Sequence, residues 1–207
     1  QKAVINTDGP MIILAGAGSG KTRVLTYKVL YLIQEKNVYP QNVLMVTFTN
    51  KASNEMKERI AKLSSSSLPF AGTFHSLCVK ILRIEGMHMG IPPNFLIYDQ
   101  QDSLDAIKDV MKKLDISTKN FTPSAIASTI SQAKNELIRA TEYPQYARGY
   151  FQETAARVYL AYQKLLRENE AVDFDDLLMG TVQLFEQNKS ILGTYQEKYH
   201  YVHVDEY

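Results

Sequence analysis

Two hydrophobic patterns divide the chain. Up to about residue 75, short unbroken apolar runs (Met11 to Ala15, Val43 to Phe48, Phe70 to Phe74) alternate with longer mixed stretches from Lys21 to Ile33 and from about Lys51. Apolar runs of this length, each followed by a helical stretch, predict the strand–helix units of a parallel sheet. Ser64 to Ser67 with Pro69 end the second helix. From about Ser76 to Tyr199 the period lengthens and helices are expected almost exclusively. Leu104, Ile107, Met111 and Leu114 form one stripe, and Ile126, Ile130, Ala133 and Leu137 a second. A third holds Ala155, Val158, Tyr159, Tyr162, Leu165 and Leu166, and a fourth Phe174, Leu177, Leu178 and Phe185. Asp99 and Thr122-Pro123 are suited to open helices, and Glu142-Tyr143-Pro144 marks a loop. Tyr201 to Val204 returns to an apolar strand that ends in Asp205-Glu206. The expected fold is α/β, a parallel sheet domain with an all-helical domain inserted.

The densest chemistry follows the first apolar run. Ala15-Gly16-Ala17-Gly18-Ser19-Gly20-Lys21-Thr22 meets the phosphate-loop pattern at every position after the first, where Ala15 replaces glycine. Residues without Cβ let successive N–H groups turn inward around phosphate oxygens, and a helix opening at Lys21 points its positive end at the same anion. Lys21 would reach the β- and γ-phosphates, and Thr22 would place its hydroxyl on Mg²⁺. A dinucleotide turn starting at Gly16 and Gly18 needs glycine where Lys21 stands. Asp205-Glu206 at a strand end supplies the carboxylates that such a loop lacks, one for Mg²⁺ and one to orient the attacking water.

Composition adds limits. The formal net charge is +1, so nucleic-acid contact must come from a local surface rather than a global field. Cys78 is the one cysteine, which excludes an internal disulfide and fits a reducing compartment. Neither a leader pattern nor a run near the ~20 apolar residues of a membrane helix is present, so a cytoplasmic location is expected. His88, His200 and His203 have no metal-binding spacing. For Tyr143, Tyr146 and Tyr150 the two readings are a nucleic-acid surface and packing, of which packing is expected; Asp173, Asp175 and Asp176 are expected to cap a helix.

Five segments occur in a telling order: Ala15 to Arg23, Thr47-Phe48-Thr49-Asn50-Lys51-Ala52, Gly72-Thr73-Phe74-His75-Ser76-Leu77, Val172-Asp173-Phe174-Asp175-Asp176-Leu177-Leu178, and Val204-Asp205-Glu206-Tyr207. From end to end the chain resembles the superfamily 1 DNA helicases of the UvrD/PcrA/Rep branch, in which Ala15 is also the usual residue. Phe74 and Leu77 are more similar to that branch than to the RecB/AddA helicase-nuclease subunits.

The resemblance implies a truncated RecA-like ATP-binding domain, 1A, over 1–75 plus 200–207, and an inserted helical domain, 1B, over 76–199. It implies ATP and Mg²⁺ as cofactors, with Ala15, Gly16, Ala17, Gly18, Ser19, Gly20, Lys21, Thr22 and Arg23 around the nucleotide, Thr22 and Asp205 on the metal, and Lys21 and Glu206 as catalytic groups. Phe48 and His75 would stack on bases, while Thr47, Thr49, Asn50 and Thr73 would meet phosphates. Expected partners are single-stranded and duplex DNA, repair or replication proteins, and the C-terminal motor domain of the same protein, with no membrane. The activity implied is ATP-dependent 3′–5′ unwinding by the parent protein. Three alternatives stay open: a nucleotide- and DNA-binding module without turnover, a RecB/AddA-type helicase-nuclease subunit, and an unrelated P-loop enzyme such as a small-molecule kinase; the segments at Thr47 and Gly72 speak against the last.

Overall fold

A computed structural model describes residue 5 and residues 9–14, 16, 20–63 and 69–205. Ala15, Ala17, Gly18, Ser19, Ser64 to Ser67, Glu206 and Tyr207 lie outside the described residues. The chain divides into two compact units, one of residues 1–77 with 189–207 and one of residues 78–188.

Among the described residues the first unit is built on three parallel strands, β1 (Val43–Thr47), β2 (Phe70–Thr73) and β5 (Tyr201–Val204), in the order β2-β1-β5. Side chains alternate along β1, and both of its faces are covered. Val43 and Met45 pack with Val29, Leu30 and Ile33 of helix α1 (Lys21–Gln34) and with Met56 and Ile60 of α2 (Asn50–Leu63). Leu44 and Val46 turn the other way, toward Tyr199, Tyr195 and Phe74. A strand buried on two faces reads as an unbroken apolar run, which is why Val43 to Phe48 could be recognised. Helix α8 (Lys189–Lys198), which carries Tyr195, groups with this unit.

The expected strand over Met11 to Ala15 is not formed at its described residues. Met11, Ile12, Ile13 and Leu14 have no strand conformation, and Ile12 and Leu14 are 79% and 93% exposed. A strand exists only through pairing, and no described strand lies alongside these residues.

The second unit packs α4 (Gln100–Lys113), α5 (Pro123–Asn135), α6 (Tyr150–Glu168) and α7 (Phe174–Gln187). Its core gathers Ile107, Met111, Ile126, Ile130, Ala155, Val158, Tyr159, Tyr162 and Leu166, drawn from three of the predicted stripes. The fourth stripe buries Leu177, while its Phe174 stands at the first position of α7 and is half exposed. Asp99 opens α4 by accepting hydrogen bonds from the Gln101 and Asp102 amides at 2.7 and 2.8 Å, and Thr122 with Pro123 opens α5. The second stripe stops short of Leu137, because α5 ends at Asn135 and Leu137 takes a positive φ of 60°. To these helices the structure adds a short parallel ladder of β3 (Leu96–Tyr98) with β4 (Ala171–Asp173). Helix α3 (Phe74–Glu85) follows β2 directly.

Candidate functional site

Parallel register decides what meets at the carboxyl ends of the strands, where open α/β sheets bind their ligands. Thr47 of β1 is level with Thr73 of β2, and Val46 is level with Val204 of β5. The residues that follow each strand therefore emerge along one edge: Phe48-Thr49-Asn50 after β1, Phe74-His75 after β2 and Asp205 after β5.

Of the phosphate-loop pattern, Gly16, Gly20, Lys21 and Thr22 are described, and Thr22 reaches that edge. Gly20 takes φ 84° and ψ 30° just before α1, a left-handed conformation that a residue with a Cβ adopts only at a cost. Gly20 at the N-cap supplies no side-chain cap, and a helix start of this kind points its N–H groups toward an anion. The Lys21 ammonium donates to the Gly16 carbonyl at 3.2 Å across the loop. The Thr22 hydroxyl donates to Asp205 Oδ2 at 2.9 Å, joining residues 183 positions apart. Asp205 is only 4% exposed, and its amide is anchored on the Val46 carbonyl at 2.9 Å. A hydroxyl and a nearly dry carboxylate side by side are hard oxygen donors, the set Mg²⁺ takes, so these residues fit the ion that the loop pattern implies. Arg23 is exposed, with its guanidinium 5.6 Å from the centre of the Tyr27 ring.

The aromatic candidates lie on the same edge. Phe48 is 64% exposed, and its ring meets Phe74 at 5.5 Å, tilted by 54°. Phe74 in turn packs on Leu44 and Val46, so the exposed ring rests on a fixed support. His75 is half-buried at the start of α3. Thr49 and Thr73 accept backbone N–H bonds from Ala52 and Ser76, each at 3.1 Å, which caps α2 and α3. Accepting leaves each hydroxyl proton free to be donated. Asn50 is exposed at the first position of α2, whereas Thr47 is fully buried, with a hydroxyl that meets no partner among the described residues. Gly72 has no room for a side chain: a Cβ there would collide with the Ser76 hydroxyl, which folds back to the Thr73 carbonyl at 2.8 Å. A groove of about 780 Å³ runs past Lys21, Phe48 and Asp205, with Ile12 and Leu14 in its wall.

Two features escaped the sequence. His203 of β5 lies inside the sheet unit with Nε2 unpartnered among the described residues, and burial, helped by the Lys28 charge, lowers its pKa to about 4. Lys134 of α5 is completely buried and bridges Asp173 and Asp176 at 2.6 and 2.8 Å. Those two aspartates form a reciprocal capping box at the start of α7, and the Tyr162 hydroxyl adds a bond to Asp173 at 3.0 Å. Burial pushes Asp176 up to about 6. Burial acts the same way on Asp173, but the Lys134 ammonium outweighs it and holds that carboxyl below its usual range. A signal existed for this cluster: Lys134 falls four residues after Ile130 on an otherwise apolar stripe. Tyr143 packs as expected, 6.1 Å from Tyr159, but Tyr146 and Tyr150 are exposed. Among the described residues no group of histidine, cysteine and acidic side chains can hold a metal by itself, and no helix is long and apolar enough to cross a membrane.

A sequence model of the UvrD/REP helicase N-terminal domain matches residues 1–207. The chain belongs to that family. It is 48% identical over 209 residues to an ATP-dependent DNA helicase PcrA of Bacillus subtilis and 49% identical over 208 residues to the PcrA of Staphylococcus aureus. The PcrA of Leuconostoc citreum is 46% identical over 209 residues. In each comparison all of this chain is matched, and it spans 28% of the relative's length. UvrD/REP membership agrees with the mixed α/β fold and parallel sheet described above.

Proposed function

We propose that this chain is the N-terminal part of an ATP-driven DNA helicase that moves 3′ to 5′ on single strands, with residues 1–75 and 200–207 as its first RecA-like domain and 76–199 as the inserted domain. The observation that carries this reading is the hydrogen bond of Thr22 to Asp205, which brings the phosphate loop and the acidic strand end to one point. The loop from Ala15 to Ser19, with Gly20, offers backbone N–H groups to the phosphates, and Lys21 adds its charge at the β- and γ-oxygens. Arg23 packs beside the adenine. Thr22 and Asp205 hold Mg²⁺, which when bound neutralises charge on the phosphate oxygens. Glu206, next in sequence, takes the proton of the attacking water.

On the same edge Phe48 and His75 stack on bases, and Thr47, Thr49, Asn50 and Thr73 bond to the strand's phosphates. Aromatic faces accept every base, which suits a motor indifferent to sequence. DNA, single-stranded and duplex, is thus the substrate, and repair or replication proteins are the partners of the whole protein. The 28% span favours a second reading for these 207 residues alone, binding without efficient turnover. Phosphoryl transfer commonly relies on an arginine from another domain, worth about 10³–10⁵ in rate.

The test is a pair of binding measurements. Mg-ATP at about 100 times its Kd should stabilise the chain by about 2.7 kcal/mol, and Lys21→Ala should abolish most of that gain in a thermal melt. In fluorescence anisotropy, Phe48→Ala should weaken a labelled single-stranded oligonucleotide by about 1–3 kcal/mol. Nucleotide stabilisation that survives Lys21→Ala would refute the phosphate-loop assignment. DNA affinity unchanged in a folded Phe48→Ala variant would refute the stacking role.

A further inference from the structure

The second unit carries a groove of about 440 Å³ lined in part by carboxylates. One wall is strand β3, Leu96-Ile97-Tyr98; another is the face of α4 that presents Asp102, Asp105 and Asp109, and Leu165 and Asn169 at the end of α6 complete the lining. Among the described residues strand β3 is paired on one side only. Its sheet has two strands, and the Leu96 amide already donates to the Glu170 carbonyl at 2.9 Å on the β4 side. In a parallel ladder alternate residues turn their N–H and C=O groups to opposite edges, so the groups of Ile97 point away from β4. No described strand takes them.

The edge is accessible and apolar. Leu96 is 58% exposed, and the rim beyond Tyr98 is held by a bond from Asn169 to the Tyr98 hydroxyl at 2.9 Å. A free edge of this kind is a template for an added strand. The opposing wall decides what that strand carries. Asp102, Asp105 and Asp109 recur at intervals of three and four on one helix face and all are exposed, with Lys108 the cation paired to Asp105 at 2.7 Å. A wall of this sign repels phosphate, which excludes nucleic acid as the occupant and favours a cationic one.

We propose that the groove between β3 and α4 is a docking site for an extended, basic segment of a partner protein, which adds a parallel or antiparallel strand to β3 and sets alternate Lys or Arg side chains against Asp102, Asp105 and Asp109. Backbone bonds give the segment its hold, and the acidic wall selects its charge. The site is independent of the nucleotide reading and lies wholly within the second unit.

The test uses the full-length protein and a fluorescein-labelled eight-residue peptide alternating lysine with valine. Binding is expected in the micromolar range, weakened at least tenfold by Asp105→Lys with Asp109→Lys. The milder pair Asp105→Asn and Asp109→Asn should give a smaller loss in the same direction, which keeps the test open if charge reversal disturbs folding. A peptide methylated on alternate backbone nitrogens should also lose at least tenfold, and one with glutamate in place of lysine should not bind. The proposal is overturned if the peptide fails to bind, if neither aspartate pair changes its affinity, if the methylated peptide binds equally well, or if an eight-nucleotide single strand displaces it.

Discussion

His203 shows how one residue ties stability to pH. His203 is half-buried in β5 with its Nε2 shielded from water, and this burial, helped by the Lys28 charge, lowers its pKa from 6.5 to about 4. The unfolded chain therefore binds a proton more readily than the folded chain between those two values. Stability contributed by the neutral ring is complete above about pH 6.5 and is lost as the pH falls toward 4, by about 3 kcal/mol at most. Urea unfolding of the wild type from pH 7 to 4 should show this slope, and His203→Phe should flatten it. An equal slope in the variant would mean that other groups carry the acid sensitivity. Thr22 and Asp205 are the counterpart at the site: they stand far apart in the chain, and the fold joins them in a 2.9 Å hydrogen bond.

At the scale of elements, the junction of β4 with α7 is held by charge as well as packing. Lys134 reaches from α5 to both aspartates of the α7 capping box, and Tyr162 of α6 bonds to one of them. Three helices thus share one buried ionic cluster. Replacing such a cluster by apolar residues is often neutral, but removing one partner strands the others in a dry place. Lys134→Met should destabilise the protein by about 3–5 kcal/mol, read as a lower denaturant midpoint. Adding Asp173→Asn and Asp176→Asn should restore part of that loss. A Lys134→Met variant with an unshifted midpoint would show that the cluster is electrostatically idle.

At the scale of the whole molecule, the sheet has an edge to answer for. Strand β5 pairs with β1 on one side, and no described strand pairs with the other. Val202 is 54% exposed, and Ile12 and Leu14 stand in solvent. Unpaired backbone beside exposed aliphatic side chains templates association between chains. Light scattering of the 207-residue chain should rise with concentration, and Val202→Lys should suppress the rise. A monomer at every concentration would show that this edge is silent.

The sequence alone determined the parallel α/β character, most of the helical stripes and the helix starts at Asp99 and Thr122. Each rests on local rules: the unbroken apolar run, the 3.6-residue period, and the capping preference of short polar side chains. Only the tertiary structure decided that Met11 to Leu14 is not a strand, that β3 and β4 form a ladder among helices, that Lys134 is buried on Asp173 and Asp176, and that Phe48 and Asp205 share an edge with Lys21. Each of these depends on a partner far along the chain, as Thr22 depends on Asp205 across 183 positions. Pairing, burial and register are properties of two segments at once, so neither segment alone contains them.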